Sequence, residues 1–259
     1  MKNYINYHID LSNVPLDVKK TFYLDDFLVK DNIQVKDNWE DFVELNWSDI
    51  KIAPFWEDKE STQVQDEEIQ SMLDLESNLL TEYIQENWLW IIVRETVANK
   101  LKEVNDYFKS KWYQICIKIW YRPLSVQQKL LEHISKYIDN KHPDLSESKR
   151  YEITCEYVSD PNNFVPPHST WWAVDLVLMD LDWNEIDMWS PINYPWEISN
   201  ITYTDISKET FENRMFLCDT MLKFGFANLS SEWWHFSYWD PIWAYFYWHK
   251  ESIYWKIDL

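Results

Sequence analysis

Apolar residues recur at helical spacing in several parts of the chain. In the clearest case, Val93, Val97, Leu101, Val104 and Phe108 fall on one face of a helix. The segments predicted to be helices are 93–110, 125–138 and 207–223. A further acidic segment, 57–87, is helix-prone but more polar, and we interpret it as an amphipathic helix with a solvated charged face.

Shorter alternating or apolar runs predict strands between these helices. The predicted strands lie at 114–119, at 173–179 and 185–188 around a turn at Trp183, and within the aromatic segment 232–247. The first 56 residues hold short apolar runs, such as 22–24 and 27–29, which we interpret as short strands and loops. The pattern predicts an α+β fold, a single domain with a central antiparallel sheet flanked by helices. We expect residues 1–88 to form an N-terminal extension and residues 89–259 the main domain.

The charge of the chain excludes some classes of partner. Its 259 residues include 44 acidic and 24 basic side chains, which gives a formal net charge of -20. Binding of nucleic acid through its phosphates needs a basic excess, so that class is excluded, and an anionic membrane surface is disfavoured. No apolar run is long enough to span a membrane, and the first residues lack the apolar core of a signal peptide. We therefore expect a cytoplasmic protein.

The contents of tryptophan and glycine are both unusual. The chain has 18 tryptophans and one glycine, although glycine averages about 7% of residues in proteins. Trp112, Trp183 and Trp239 occupy turns or a helix end, where glycine is favoured. We hypothesise that most tryptophans stand for glycine, as happens when a gene in which UGA encodes glycine is translated with UGA as tryptophan. UGA codons at these positions would support the hypothesis, and UGG codons would show genuine tryptophans.

Two segments carry histidines and carboxylates in apolar surroundings. His168 precedes a predicted strand that contains Asp175, and Glu232 and His235 lie in an aromatic run. A buried carboxylate needs a partner or a metal ion. Two histidines and one aspartate form a suitable catalytic zinc set, with Glu232 as a general base that does not bind the metal. Glu232 and His235 would face opposite sides of a straight strand, so the site requires a bend there. Histidines with purely structural roles remain the alternative.

Arg122 follows the strand predicted at 114–119. It is either a helix-entry arginine paired with a surface carboxylate, or a cation directed at an oxyanion or a substrate carboxylate.

Four segments resemble the zinc D-alanyl-D-alanine dipeptidases. The runs HSTWWAVDL from His168 and DMWSP from Asp187 are similar to HSTGGAVDL and DMGSP of that family. EWWHF from Glu232 and YRP from Tyr121 match its motifs without change. The resemblance covers residues 90–255, and it improves when glycine replaces Trp171 and Trp172 in the first run and Trp189 in the second.

The resemblance implies a zinc peptidase that works in the cytoplasm. His168, Asp175 and His235 would bind one zinc ion, and Glu232 would carry a proton from a zinc-activated water to the leaving amine. Arg122 and the zinc ion would stabilise the oxyanion. The substrate would be D-alanyl-D-alanine or a related D,D-dipeptide, for peptidoglycan dipeptide turnover or glycopeptide resistance.

Further residues are expected to contact the substrate, namely Tyr121, Ser169 and Asn193. Two positions depart from the family's pattern. Pro166 replaces a frequent serine, and Asn193 replaces a frequent aspartate that holds the substrate's ammonium group. An amide cannot supply that charge, so a strict preference for D-alanyl-D-alanine stays open.

Two alternatives to a dipeptidase remain. One is a D,D-carboxypeptidase of the same superfamily, which activity on longer peptides would reveal. The other is a non-catalytic, aromatic-rich binding protein without a metal, which zinc analysis would reveal. If the glycine hypothesis holds, the chain with glycine restored should hydrolyse the dipeptide, and the chain with every tryptophan should show little activity.

Overall fold

A computed structural model describes residues 34–35, 41–44, 50–54, 67–87, 92–163, 165–194, 197–247, 249 and 251–252. The strands are β1 (Gln34–Val35), β2 (Phe42–Glu44), β3 (Lys51–Ile52), β4 (Ile92–Arg94), β5 (Tyr113–Ile119), β6 (Ala173–Asp180), β7 (Ala227–Asn228), β8 (His235–Ser237) and β9 (Glu251–Ser252). The α-helices are α1 (Glu67–Asn87), α2 (Glu95–Lys109), α3 (Leu124–Lys141), α4 (Glu147–Tyr157), α5 (Lys208–Lys223) and α6 (Pro241–Phe246). Short 3₁₀ helices span Pro167–Thr170 and Glu197–Ser199. The apolar runs 22–24 and 27–29 lie outside the described residues.

A five-stranded sheet in the order β3-β5-β6-β8-β7 forms the centre of the fold. β6 runs antiparallel to both of its neighbours, and every residue from Ala173 to Met179 is buried. The edge strand β3 instead pairs parallel to β5, because α1, β4 and α2 lie between them and supply the long crossover that a parallel pair needs. The predicted α+β class with a central antiparallel sheet is thus confirmed, with one parallel edge.

The three helices predicted from apolar spacing are present. In α2, Val97, Leu101, Val104 and Phe108 are all fully buried, as their shared helix face requires. In α5, the hydroxyl of Ser207 caps the helix by accepting a hydrogen bond of 3.0 Å from the backbone N–H of Thr210. α2 packs against β5 and α5 against β7, whereas α3 packs against α1 and α4.

The prediction of a strand-rich segment at 232–247 is only partly right. β8 is three residues long, and α6 follows it. Asp240 accepts a hydrogen bond of 2.9 Å from the backbone N–H of Trp243, and Pro241 occupies the first turn. An aspartate cap followed by proline starts a helix strongly enough to outweigh the strand preference of the aromatic residues.

The predicted hairpin at Trp183 and the short helix α4 also differ from expectation. The turn is present, but its second arm is reduced to one bridge between Met179 and Glu185. The carboxylate of Asp180 accepts backbone hydrogen bonds from Asp182 and Asn184, which holds the turn without a second strand. α4 was not predicted because its residues have little amphipathic pattern.

Tryptophans dominate the residues with a left-handed backbone. Among the described non-glycine residues, positive φ occurs at Asn193 and at five tryptophans, namely Trp112, Trp171, Trp183, Trp189 and Trp239. Trp112, with φ of 68°, follows the end of α2 at the position where helices often finish with glycine. This distribution is the one that the glycine hypothesis predicts, and the hypothesis stays a prediction until the codons are read.

The region assigned to the N-terminal extension contributes to the central fold. β3 forms one edge of the sheet, and α1 packs against α3 with Leu73 and Leu80 buried. The domain division at residue 89 stays a prediction. No helix in the described ranges combines the length and the apolar character needed to cross a bilayer.

Candidate metal centre

His168, Asp175 and His235 meet at the middle of the sheet. His168 lies in the 3₁₀ helix just before β6, Asp175 lies in β6, and His235 begins β8. The antiparallel register places Asp175 directly opposite His235. All three side chains are buried. Sheet pairing therefore brings His235 to Asp175 and His168, which lie 60 and 67 positions earlier in the chain.

The donor atoms of the three residues converge on one point. Nδ1 of His235 lies 2.9 Å from Oδ1 of Asp175, and Nε2 of His168 lies 3.2 Å from Oδ2 of the same carboxylate. The two histidine nitrogens are 3.1 Å apart. Zinc binds nitrogen and oxygen at about 2.0–2.1 Å, so its tetrahedral ligand atoms are about 3.3 Å from one another. The spacing of these donor atoms therefore fits a zinc ion.

The surroundings of the cluster also suit a cation. Oγ of Ser237 lies 3.2 Å from Nε2 of His235, which orients the ring with Nδ1 towards the cluster. Burial lowers the pKa of His168 to about 4, so its imidazole is neutral and can bind a metal. Burial alone would raise the pKa of Asp175, but the two histidines hold it well below its usual value. The pKa of His235 is raised, because its bond to Asp175 outweighs the effect of burial.

Glu232 stands beside the cluster at the entrance to β8. A turn precedes the strand, in which the backbone N–H of Glu232 donates to the carbonyl of Leu229 and that of His235 donates to the carbonyl of Glu232. This turn is the bend that the prediction of a shared site for Glu232 and His235 required. Oε2 of Glu232 lies 3.8 Å from Nδ1 of His235, and the side chain is 35% exposed. The carboxylate can therefore exchange protons with water next to the donor cluster.

Arg122 is held against the same cluster by its backbone. Its N–H donates to the carbonyl of His168 over 3.3 Å, and its own carbonyl accepts a bond of 2.8 Å from Oγ of Ser169. Its guanidinium donates to Oε1 of Gln127 at 3.2 Å and forms an ion pair with Glu76. Nε of Arg122 is buried and has no hydrogen-bond partner within the described ranges. The alternative of a surface partner is wrong, because Glu76 is buried.

One cavity of about 430 Å³ joins these groups. The charged and polar side chains on its wall include Glu76, Arg122, His168, Asp175, Asn193, Glu197, Glu232 and His235. Tyr121 and Ser169, which were expected to contact substrate, are absent from the described wall. Tyr121 stacks on the indole of Trp171 with ring centroids 3.9 Å apart, and the hydroxyl of Ser169 is bonded to Arg122.

Sequence reasoning missed Glu76, which reaches the cavity from α1. Its Oε1 accepts a hydrogen bond from Arg122, and its Oε2 accepts one of 3.1 Å from Nδ2 of Asn193. A signal was present, because Glu76 shares a helix face with the apolar residues Leu73 and Leu80. An acidic residue within an apolar stripe needs a partner inside the protein.

The family model and the related proteins that match this chain carry the same description. A family model described as D-ala-D-ala dipeptidase matches residues 61–251. A D-alanyl-D-alanine dipeptidase of Synechocystis sp. is 26% identical over 172 residues, which cover 56% of this chain and 67% of that protein. A D-alanyl-D-alanine dipeptidase of Enterococcus faecalis is 29% identical over 154 residues, which cover 56% and 72%.

One solved structure is also similar, a mutant of the vancomycin resistance D,D-pentapeptidase VanY in complex with Zn(II). It is 15% identical, with a TM-score of 0.35, and the match covers 57% of this chain and 72% of that one. This likeness is too low to support an argument. The family match, in contrast, extends over most of the chain. It includes the three proposed metal ligands on the cavity wall, His168, Asp175 and His235, and the proposed general base Glu232. The chain belongs to the D-ala-D-ala dipeptidase family, and it is a metallopeptidase.

Proposed function

We propose that the protein hydrolyses D-alanyl-D-alanine, or a related D,D-dipeptide, with one zinc ion held by His168, Asp175 and His235. The observation that carries this proposal is the convergence of three buried donor atoms on one wall of a cavity, with Glu232 beside them. A zinc ion bound there supplies a Lewis acid that activates water and polarises the scissile carbonyl. The names of the relatives support the choice of substrate.

The chain's own residues divide the remaining work between them. Glu232 accepts the proton of the attacking water and later donates it to the leaving amine, for which its partial exposure and position suit it. Arg122 presents a positive charge to the oxygen that becomes negative, and its Nε–H has no hydrogen-bond partner among the described residues. Ser169 fixes the backbone of Arg122 next to His168. The burial of His168, Asp175 and His235 places the reacting end of the cavity in a medium of low dielectric, which strengthens charge interactions there.

The setting we propose is the turnover of peptidoglycan-derived dipeptides, or glycopeptide resistance, in the cytoplasm. Both settings need a free dipeptide as substrate, and the cavity of about 430 Å³ is large enough to hold such a ligand. Hydrolysis of longer peptides with equal efficiency would favour a D,D-carboxypeptidase instead. Absence of bound zinc would favour a non-catalytic binding protein.

The experiment that tests the proposal is D-alanine release from D-alanyl-D-alanine by the zinc-loaded protein and its Glu232→Gln variant. Loss of the general base should lower kcat by about 10²- to 10⁴-fold, while the variant still binds zinc. Glu197→Gln is the matched control, because Glu197 is an exposed carboxylate on the same cavity wall. Similar rates for Glu232→Gln and the parent would contradict the assigned role.

The same assay compares two forms of the chain. Trp171 and Trp172 are fully buried between His168 and Asp175, and the indole N–H of Trp171 has no hydrogen-bond partner among the described residues. If these positions are glycine in the native protein, the form with glycine there should be active and the form with tryptophan should show little activity. Equal rates for the two forms would contradict this expectation.

A further inference from the structure

We infer that Glu76 is the specificity-determining residue that receives the free ammonium group of the dipeptide. This inference rests on the proposed function, since it assumes a dipeptide bound beside the donor cluster. A free dipeptide is a zwitterion, so its site must present a negative group to one end. Glu76 lies on the wall of the same cavity as Arg122 and the three donor residues.

The other cavity carboxylates do not suit this role. Asp175 is bonded to both histidines of the cluster. Glu232 is proposed as the proton carrier, and its charge changes during each turnover. Glu197 is exposed to solvent, where a charge pair adds little. Glu76 is 7% exposed, so a charge pair with its carboxylate is screened far less.

The contacts of Glu76 fix its carboxylate and leave room for a further donor. Arg122 donates to Oε1, and Asn193 donates to Oε2 over 3.1 Å. An ionised carboxylate has about four acceptor sites, so two are left for an ammonium group. Asn193 has φ of 58°, a left-handed conformation that asparagine tolerates. The hydrogen bond from the amide of Asn193 therefore holds the carboxylate of Glu76 in place.

The electrostatic balance of the site points the same way. Burial raises the pKa of Glu76, and the charge of Asp175 adds to this effect, while Arg122 opposes it. Arg122 is the cation that pairs with Glu76 in the described part of the chain. A bound ammonium would supply a second cation to this carboxylate, whereas an acylated amino group, as in a wall-linked peptide, would not. Glu76 therefore selects free dipeptides over longer peptides.

Binding measurements separate this role from catalysis. We would titrate D-alanyl-D-alanine and N-acetyl-D-alanyl-D-alanine into the zinc-loaded Glu232→Gln protein, by calorimetry, with and without Glu76→Gln. The free dipeptide should bind the Glu232→Gln protein about 10- to 100-fold more tightly than the acetylated one. Glu76→Gln should abolish this difference by weakening only the free dipeptide. Glu197→Gln should leave the difference unchanged.

Two results would overturn the inference. In one, Glu76→Gln lowers the affinity for both ligands equally, which would make Glu76 a positioning residue for Arg122. In the other, the protein that retains Glu76 shows no preference for the free dipeptide. Glu76→Asp, which keeps the charge, should retain part of the preference, and it serves as the second variant if Glu76→Gln does not fold. Failure of the proposed function is distinguishable, because the parent would then bind the free dipeptide without releasing D-alanine.

Discussion

The candidate centre depends on a few buried polar residues, and burying any of them without its partners would cost free energy. Asp175 is almost completely buried, and both carboxylate oxygens contact a histidine nitrogen within 3.2 Å. A buried carboxylate with two histidine nitrogens against it favours a bound cation. The three donor residues therefore form a site suited to a cation, and the neighbouring Glu232 and Arg122 determine its chemistry.

A single exposed residue tests whether a tryptophan with positive φ strains the backbone, as the glycine hypothesis implies. Trp112 is 78% exposed and has φ of 68°, so its side chain buries little while its backbone is strained. Trp112→Gly should raise the free energy of unfolding by about 1 kcal/mol, because glycine adopts this conformation without the clash of a Cβ atom. Denaturant unfolding of both proteins measures the change. Trp112→Ala is the control, which keeps the Cβ atom and should give no gain; an equal gain from alanine would contradict the explanation.

The sequence was sufficient to predict the site residues that stand out by their type and by the apolar residues around them. His168, Asp175 and His235 stood out because charged or ligating side chains interrupted apolar runs. Glu76 also interrupts an apolar helix face, between Leu73 and Leu80, but it lies in an acidic segment where this signal is easily overlooked. Its partner Arg122 is 46 positions away, and that contact depends on how α1 packs. Long-range packing of this kind cannot be derived from local patterns.

At the scale of elements, α1 links the N-terminal region to the site. Leu73 and Leu80 are buried on the face of α1 that also carries Glu76, so apolar packing of the helix sets the position of the carboxylate. The spacing of the segment 57–87 predicted an amphipathic helix, and the structure confirms one over Glu67–Asn87, whereas residues 57–66 lie outside the described residues. The spacing did not predict what the buried face would touch, because partners of a helix face are set by the fold.

Weakening the packing of α1 should lower stability and dipeptide binding together. Leu80 is fully buried, and Leu80→Ala should cost about 2–5 kcal/mol of unfolding free energy. Because Glu76 lies one turn away on the same face, the affinity for the free dipeptide should also fall. Asn78→Ala, on the exposed side of the same helix, is the matched control and should change neither quantity. Unchanged stability of Leu80→Ala would show that α1 does not pack as described.

At the scale of the whole molecule, the fold places its chemistry where the central strands meet the cavity. Antiparallel pairing of β6 and β8 sets Asp175 opposite His235, and the end of β5 delivers Arg122 to the same place. The α+β class followed from alternating helical and strand patterns. The parallel edge strand β3 and the helix α6 did not, because the first depends on a distant pairing and the second on a local cap that outweighed strand preference.

The most direct test of the account is the zinc content of the purified protein and its His235→Ala variant, measured beside dipeptide hydrolysis. We predict about one zinc ion per chain in the parent, in whichever form of the chain is active, together with D-alanine release that a chelator abolishes. The variant should lose both the metal and the activity while keeping its folded circular dichroism spectrum. A parent that hydrolyses the dipeptide without bound metal, or a variant that keeps its zinc, would contradict the assignment of the centre.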